Sequence, residues 1–506
     1  AARVALVVPA DAPSPFRAPP SLPRYTPHGG GDERVAGEPA AWLTVAKQTA
    51  QRLEWAEPGR VDVFAVASDD EALFDRLADA DVVVTLGSDA LEEAEAKLVG
   101  DAAALAPTLI VLGAESGELP SRQKLNYSPS SALEEGWLNP FGRAAKDVAL
   151  LRQVQNLYSN SDVLDLQFAL ALLASDALGT RLPSVAAADK IDLPGYVCLA
   201  RNCRKQVVDC VRDDMCKTAL DCLDECGMND QVCSYRCLRS YETPLFTDFA
   251  LCVMQKHNCM NNDAKIQTLP EVSSITTWRG EPLTDESAQR IYEGHFLEPM
   301  SAETAAALGG SWGSEGDPTP FSWRVIAGQN AAYDQFPCQY QIFYAGGARS
   351  SMWYQPVFRV DTLDGRNVWR VSDYRCRRER DEPPGAYELT FCDNGVVSRE
   401  KWRIAGAADD LSWGLFFYRG AAERAGQAYI GAVLASADGN WPPAEQMPDV
   451  EAALNACGIE LWEMYEVCNK SCEAPPLEPI HALNKRYGER GRNLLEAASC
   501  LEAASA

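Results

Sequence analysis

Ten of the 17 cysteines crowd between residues 198 and 259: Cys198, Cys203, Cys210, Cys216, Cys222, Cys226, Cys233, Cys237, Cys252 and Cys259. Thiols at this density have three chemistries open to them: disulfide cross-linking, metal ligation and thiol–disulfide exchange. Spacing separates them. Cys222 and Cys226, like Cys233 and Cys237, stand one helical turn apart, so each pair shares one face of its helix. If those helices run antiparallel, an outer bridge Cys222–Cys237 nests around an inner bridge Cys226–Cys233. The same logic applied to the preceding four gives Cys198–Cys216 around Cys203–Cys210, and Cys252 is left to pair with Cys259. Other connectivities stay open. C-x3-C steps and the nearby His257 raise zinc as an alternative, but zinc modules favour C-x2-C knuckles and fewer surplus thiols, so no metal is expected. Catalytic exchange lacks its motif, since no C-x-x-C step occurs among these cysteines.

Outside the cluster, Cys376 and Cys392 lie equally far from Pro384 in the turn DEPPG and are expected to bridge across a hairpin. Cys457 and Cys468 are expected to close a helix–helix corner. Cys338 and Cys472 then tie one strand to a distant downstream segment, and Cys500 remains unpaired in the tail. So many bridges persist only where thiols are not kept reduced, which implies a secreted, periplasmic or luminal location.

The elements that must position these groups change character along the chain. Residues 1–185 alternate short β-branched runs (RVALVVPA, DVFAV, DVVVTLG, TLIVLG) with helical patterns, the signature of an α/β domain with a parallel sheet. Its turns, PADAPSP, ASDDEA and GSDALEE, carry neither a dinucleotide glycine fingerprint nor a Walker lysine. The domain therefore reads as structural or as a docking site for a protein complex. Residues 186–265 form the cysteine-rich helical domain. Residues 266–318, with GGSWGSEGDPTP, read as a linker or insertion.

From Phe321 the period becomes two. Eight runs follow: FSWRVIAGQ, CQYQIFYAG, MWYQPVFRVDTL, VWRVSDYRC, AYELTFC, VSREKWRIAG, SWGLFFYRG and AYIGAVLAS. Eight closely spaced strands joined by Gly, Asn, Asp and Pro turns fit an antiparallel up-and-down β-barrel over residues 319–440, with room for one small apolar ligand. Residues 441–506 read as a short helical C-terminal segment. The fold class is thus α+β multidomain.

Charge narrows the partners. Forty-six basic against 72 acidic residues give −26, a surface that repels phosphate backbones, so nucleic acid is excluded as a partner. Near the pI of about 4.6 that self-repulsion fades, and association is expected to become easier in acid. The most apolar stretch, VLDLQFALALLASDAL from Val163, carries Asp165 and Asp176 and reads as a buried helix rather than a membrane span. No hydrophobic leader precedes Ala1, so a targeting segment is expected to have been removed or left out.

From about Tyr196 to Pro479 the chain resembles the violaxanthin de-epoxidase family, most nearly its de-epoxidase-related branch. The resemblance rests on the cysteine ladder Cys198–Cys259, on PFSWRVIAGQNAAYDQFPCQ with Trp323 as a first-strand tryptophan, and on FRVDTLDG, EKWRI, FFYRG and AYIGAV. It implies a lipocalin-like barrel, the cysteine pairings given above and a Cys338–Cys472 bridge. It also implies residence in the chloroplast thylakoid lumen, and reduction of a xanthophyll epoxide of the violaxanthin type with ascorbate. The implied partners are a carotenoid or other lipid-like molecule and, transiently and more in acid, the thylakoid membrane surface.

Carried over residue by residue, the family's catalytic acid falls on Glu400 and one of its barrel tyrosines on Tyr418. Removal of an epoxide oxygen as water needs a proton donor, which a carboxylic acid supplies in acidic surroundings. Trp323, Phe358, Trp402 and Tyr429 are the aromatic candidates for ligand contact, with barrel core as their plain alternative. A second family tyrosine is replaced by Ala435, and two family histidines by Gln341 and Tyr344. The alternatives to an enzyme are a non-catalytic carotenoid or lipid binder and a structural subunit docking through the acidic N-terminal domain.

Overall fold

In the computed structural model the chain divides into two compact units, residues 1–18 with 35–189 and residues 19–34 with 190–506. The structure describes residues 1–10, 12–16, 40–125, 128–129, 143–188, 191–226, 229–308, 313–330, 333–334, 336–346, 351–469, 472 and 475–477. Cys500 lies outside them.

The first unit is α/β. Strands β1 (Ala2–Val8), β2 (Val61–Ala67), β3 (Val82–Thr85) and β4 (Thr108–Val111) form a parallel sheet in the order β2-β1-β3-β4, extended antiparallel by β5 (Lys124–Leu125) and β6 (Ser128–Pro129). β3 and β4 are buried at every position, as expected of strands with both faces covered. The apolar stretch from Val163 is a helix, Val163–Leu178, packed on this sheet. Its cap, Asp162, accepts from the amides of Leu164 and Asp165, and Gly179 ends it at φ 62°. Among the described residues, no helix is long and apolar enough to cross a membrane.

The second unit opens with five helices, α1 (Leu193–Asn202), α2 (Arg204–Arg212), α3 (Asp214–Glu225), α4 (Gln231–Tyr241) and α5 (Pro244–Ala250), the last continuing into a π turn, Leu251–Lys256. α3 and α4 carry the nested bridges Cys222–Cys237 and Cys226–Cys233 that one-turn spacing predicts. The other pairings differ from expectation. Cys198 bridges Cys259, Cys203 bridges Cys252 and Cys210 bridges Cys216. Cys203 and Cys210 sit at opposite ends of one helix, α2, so a rise of about 10 Å separates them, beyond disulfide reach. The nested antiparallel arrangement does recur, but between α1 and the segment after α5, at sequence separations of 61 and 49.

A closed antiparallel barrel follows: β7 (Trp323–Gly328), β8 (Tyr340–Ala345), β9 (Ser351–Asp361), β10 (Asn367–Val371), β11 (Tyr374–Arg378), β12 (Tyr387–Asp393), β13 (Val396–Ala407), β14 (Trp413–Ala422) and β15 (Gln427–Ser436). The run VWRVSDYRC breaks into β10 and β11, each pairing with a different half of β9. Eight strands close the ring through β15–β7 and β7–β8.

Two expected bridges are absent. Arg375 pairs with Thr390, which sets Cys376 opposite Leu389 and leaves Cys392 three residues away. An odd offset points a strand's side chains to the other face, and Cys376 is a buried free thiol. Cys457 and Cys468 are also free. After the helix Met447–Ala456 the chain runs as a short strand, Tyr465–Glu466, along β7, so among the described residues no helix–helix corner exists for Cys457 and Cys468 to close. Cys338–Cys472 does form and ties the strand-two side of the barrel to this returning segment.

The segment 266–318 contains helix α6 (Asp285–Glu293), with a Thr284/Ser287 capping box, which plugs one end of the barrel. Ala288, Ile291 and Tyr292, at helical spacing, enter the core. Tyr292 stacks on Phe416 at 5.2 Å, and Trp323 Nε1 donates to the carbonyls of Ile291 and Tyr292 at 3.1 Å.

Candidate functional site in the barrel lumen

The lumen is lined by alternate side chains, and in β13 the alternation brings Glu400, Trp402 and Ile404 inward. Glu400 is only 5 % exposed. Both of its oxygens are engaged: Tyr429 Oη donates to Oε1 at 2.7 Å and Trp402 Nε1 donates to Oε2 at 2.6 Å. Burial pushes the carboxyl above its ordinary range, and the two hydrogen bonds pull it partly back. Space for this arrangement comes from Gly420, directly opposite Glu400. A Cβ there would stand 2.6 Å from the Tyr429 ring and 2.8 Å from Glu400 Cγ.

Facing Glu400 across a small cavity is a second acid, Asp334. It sits in the loop after β7, where its Oδ2 accepts from the amide of Asn330 at 2.6 Å. Gly328 lies directly beneath its carboxylate, where any side chain would collide. Burial pushes this carboxyl up to about 7, with the Glu400 charge adding to the rise. Tyr333, Tyr354, Phe358, Tyr374, Trp402 and Tyr418 supply most of the remaining wall, with Gln339 and Gln341 adding amides. Among the described residues, no lysine or arginine lines the cavity.

The free space is small, about 40 Å³, where a single water needs roughly 10–15 Å³. The lumen in this state is therefore an aromatic core with a polar pocket for a few waters. A polyene is accommodated only if lining side chains move.

Of the residues expected at the site, Glu400, Tyr418, Trp402 and Phe358 line this pocket, and Tyr429 holds Glu400 from the next strand but one. Phe358 is shared with a second cluster, in which Tyr235 of α4 packs on Tyr333, Phe336 and Phe358 at 5.2–5.9 Å. Trp323 is not at the pocket. It packs against α6, His295 and Phe416 at the plugged end. Asp334 is the residue that sequence reasoning missed. It lies inside the segment AYDQFPCQ already marked by the resemblance, but a loop acid has no periodicity to reveal which way it faces.

The cysteine domain and barrel just described coincide with one stretch of sequence similarity: residues 195–469 match the model of the VDE lipocalin domain. The chain belongs to that family. Chloroplastic violaxanthin de-epoxidase from Arabidopsis thaliana is 20% identical over 384 residues, covering 74% of this chain and 72% of the relative. The enzyme of the same name from Nicotiana tabacum is 21% identical over 323 residues, covering 62% of this chain and 59% of the relative. This VDE lipocalin domain protein thus spans somewhat under two thirds of the tobacco relative. Among solved structures, apocrustacyanin C2 is 12% identical with a TM-score of 0.22, covering 29% of this chain and 76% of that one. The bovine lipocalin allergen Bos d 2 is 11% identical with a TM-score of 0.23, covering 30% of this chain and 94% of that one. The barrel assignment rests on its own strand pairing.

Proposed function

We propose that this protein reduces a xanthophyll epoxide of the violaxanthin type, with ascorbate as electron donor, in the thylakoid lumen. The observation that carries the reading is the pair of buried carboxyls, Glu400 and Asp334, set in a lumen walled largely by aromatic side chains. Such acids stay protonated at higher pH than exposed ones and so can give a proton to an epoxide oxygen. Glu400 is the general acid, Asp334 the reserve that reprotonates it, and Tyr418 positions the ring that bears the oxygen.

The chemistry balances. Ascorbate monoanion gives two electrons and one proton, the carboxylic acid gives the second proton, both C–O bonds of the epoxide break, and the products are an alkene, water and dehydroascorbate. An anionic reductant is repelled by ionised Glu400 and Asp334, so protonation serves both its approach and the proton transfer. The described disulfides fit an oxidising compartment, in keeping with a luminal site.

The test is conversion of violaxanthin, presented in galactolipid with ascorbate at about pH 5, where carboxyls protonate. Zeaxanthin is expected, and Glu400→Gln should lower its formation about a hundredfold or more. The second reading, a carotenoid or lipid binder without turnover, is favoured by Ala435 standing where the family has a tyrosine. Binding without product would select it. The role of residues 1–185 in this reading is docking to a protein complex.

A further inference from the structure

One edge of the parallel sheet in the first unit is bare. β2 is its outermost strand and pairs on one side only, with β1. The amide of Ala2 donates to the carbonyl of Arg60 and the amide of Ser68 to that of Val8, so Arg60, Asp62, Phe64, Val66 and Ser68 turn their backbone groups inward to β1. The alternation along a strand then turns those of Val61, Val63, Ala65 and Ala67 outward. Among the described residues, no hydrogen bond reaches these four outward amides. Soluble sheets blunt such an edge with lysine, proline, a bulge or a very short strand. β2 has none of these, running seven residues, VDVFAVA, in unbroken register with β1. Its single charge, Asp62, is held within the sheet by Arg3 at 3.6 Å.

The edge is complementary to itself. A two-fold axis sets two identical edges antiparallel, and hydrogen bonds form between them only where outward-facing residues oppose one another. The register centred on Phe64 satisfies this along the whole strand, with Val61 opposite Ala67 of the second copy and Val63 opposite Ala65. Phe64, which is only partly buried, then meets its own copy on the axis, at a position without hydrogen bonds where side chains come closest. The charges agree with this register. Asp62 stands opposite Val66, so no like charges oppose each other. Arg60 is exposed, has no acidic partner among the described residues, and lies across from Ser68 of the second copy, one residue from the exposed Asp69. Symmetry makes that attraction twice. A strand from an unrelated partner would have to match the same pattern by its own sequence, whereas a second copy matches it by symmetry.

We infer that β2 is a dimerisation edge, which joins the sheets of two copies across an axis at Phe64. At 0.15 M salt the Debye length is about 8 Å, so the repulsion between copies of charge −26 is screened over distance while contacts across the edge persist. Sedimentation equilibrium of the full oxidised chain should then show a concentration-dependent monomer–dimer equilibrium. Ala65→Pro removes an outward amide and no bond to β1, and should weaken the dimer at least about tenfold. Arg60→Glu should weaken it about tenfold, and adding Asp69→Arg to that variant should restore it, a rescue that damage to the fold would not give. Under mild oxidation Phe64→Cys should cross-link two copies, located by mass mapping, and Asp62→Cys should not, because its Cα lies roughly 13 Å from its copy, beyond disulfide reach. The inference is overturned if the wild-type chain stays monomeric at every concentration, if Ala65→Pro and Arg60→Glu both leave the equilibrium unchanged, or if Asp62→Cys cross-links as readily as Phe64→Cys. None of these measurements involves turnover, so their outcome is separate from the fate of the de-epoxidase reading.

Discussion

At the scale of single residues, the site is a contest between burial, which favours protonated carboxyls, and hydrogen bonds, which favour ionised ones. Tyr429 donates to Glu400 and so holds its pKa down. Tyr429→Phe should therefore raise that pKa, and activity that needs the protonated acid should persist to higher pH, read as an upward shift of the basic limb of the pH–rate profile. Asp334 has a folded-state value near 7, above the ordinary 3.8. The folded protein then binds a proton more tightly than the unfolded chain, so this acid's contribution to stability is full below about pH 4 and is lost as pH rises through 7. Asp334→Asn should abolish that loss. Relative to wild type it should gain up to about 4 kcal/mol in denaturation at pH 8, at about 1.4 kcal/mol per unit, and little at pH 4. Glu400, Tyr418 and Trp402 were legible from sequence because strand alternation and the family motifs place them. Asp334 was not, because its burial depends on a loop folding back over Gly328.

At the scale of elements, what the sequence presents as a linker does structural work. Its helix α6 inserts Tyr292 among Phe343, Tyr387 and Phe416, with the hydroxyl donating to the carbonyl of Gly385 at 3.0 Å. Tyr292→Ala should cost about 3–5 kcal/mol, seen as an earlier urea transition of barrel tryptophan fluorescence. The double bridge ties α3 to α4, and α4 itself packs on the barrel. There Tyr235 meets Tyr333 and Phe358 of the pocket wall, and Arg239 pairs with Asp393 at 3.2 Å. Cys222→Ser with Cys237→Ser should cost about 2–4 kcal/mol in the same assay. Helical periodicity revealed this bridge pair but not the partners of Cys198 and Cys203. Spacing reports which thiols share a helix face, and it is silent on which distant segment comes to lie beside that face.

At the scale of the whole molecule, a surplus of 26 negative charges opposes association of copies at neutral pH, and the repulsion should decline as carboxylates protonate. Sedimentation at pH 7 and pH 5 should show a larger species at the lower value, and equal values would refute this. Composition, the period of the apolar pattern and the cysteine spacing by themselves determined the order of architectures, a parallel-sheet α/β unit, a disulfide-stapled helical module and an antiparallel barrel, since these depend on local geometry repeated along the chain. Only the folded structure decided that Asp334 faces Glu400, that Trp323 belongs to the plug rather than the pocket, that Cys376 stays a thiol, and that the lumen is nearly full. Each of these depends on register or on contacts between residues far apart in sequence, and no local pattern encodes either.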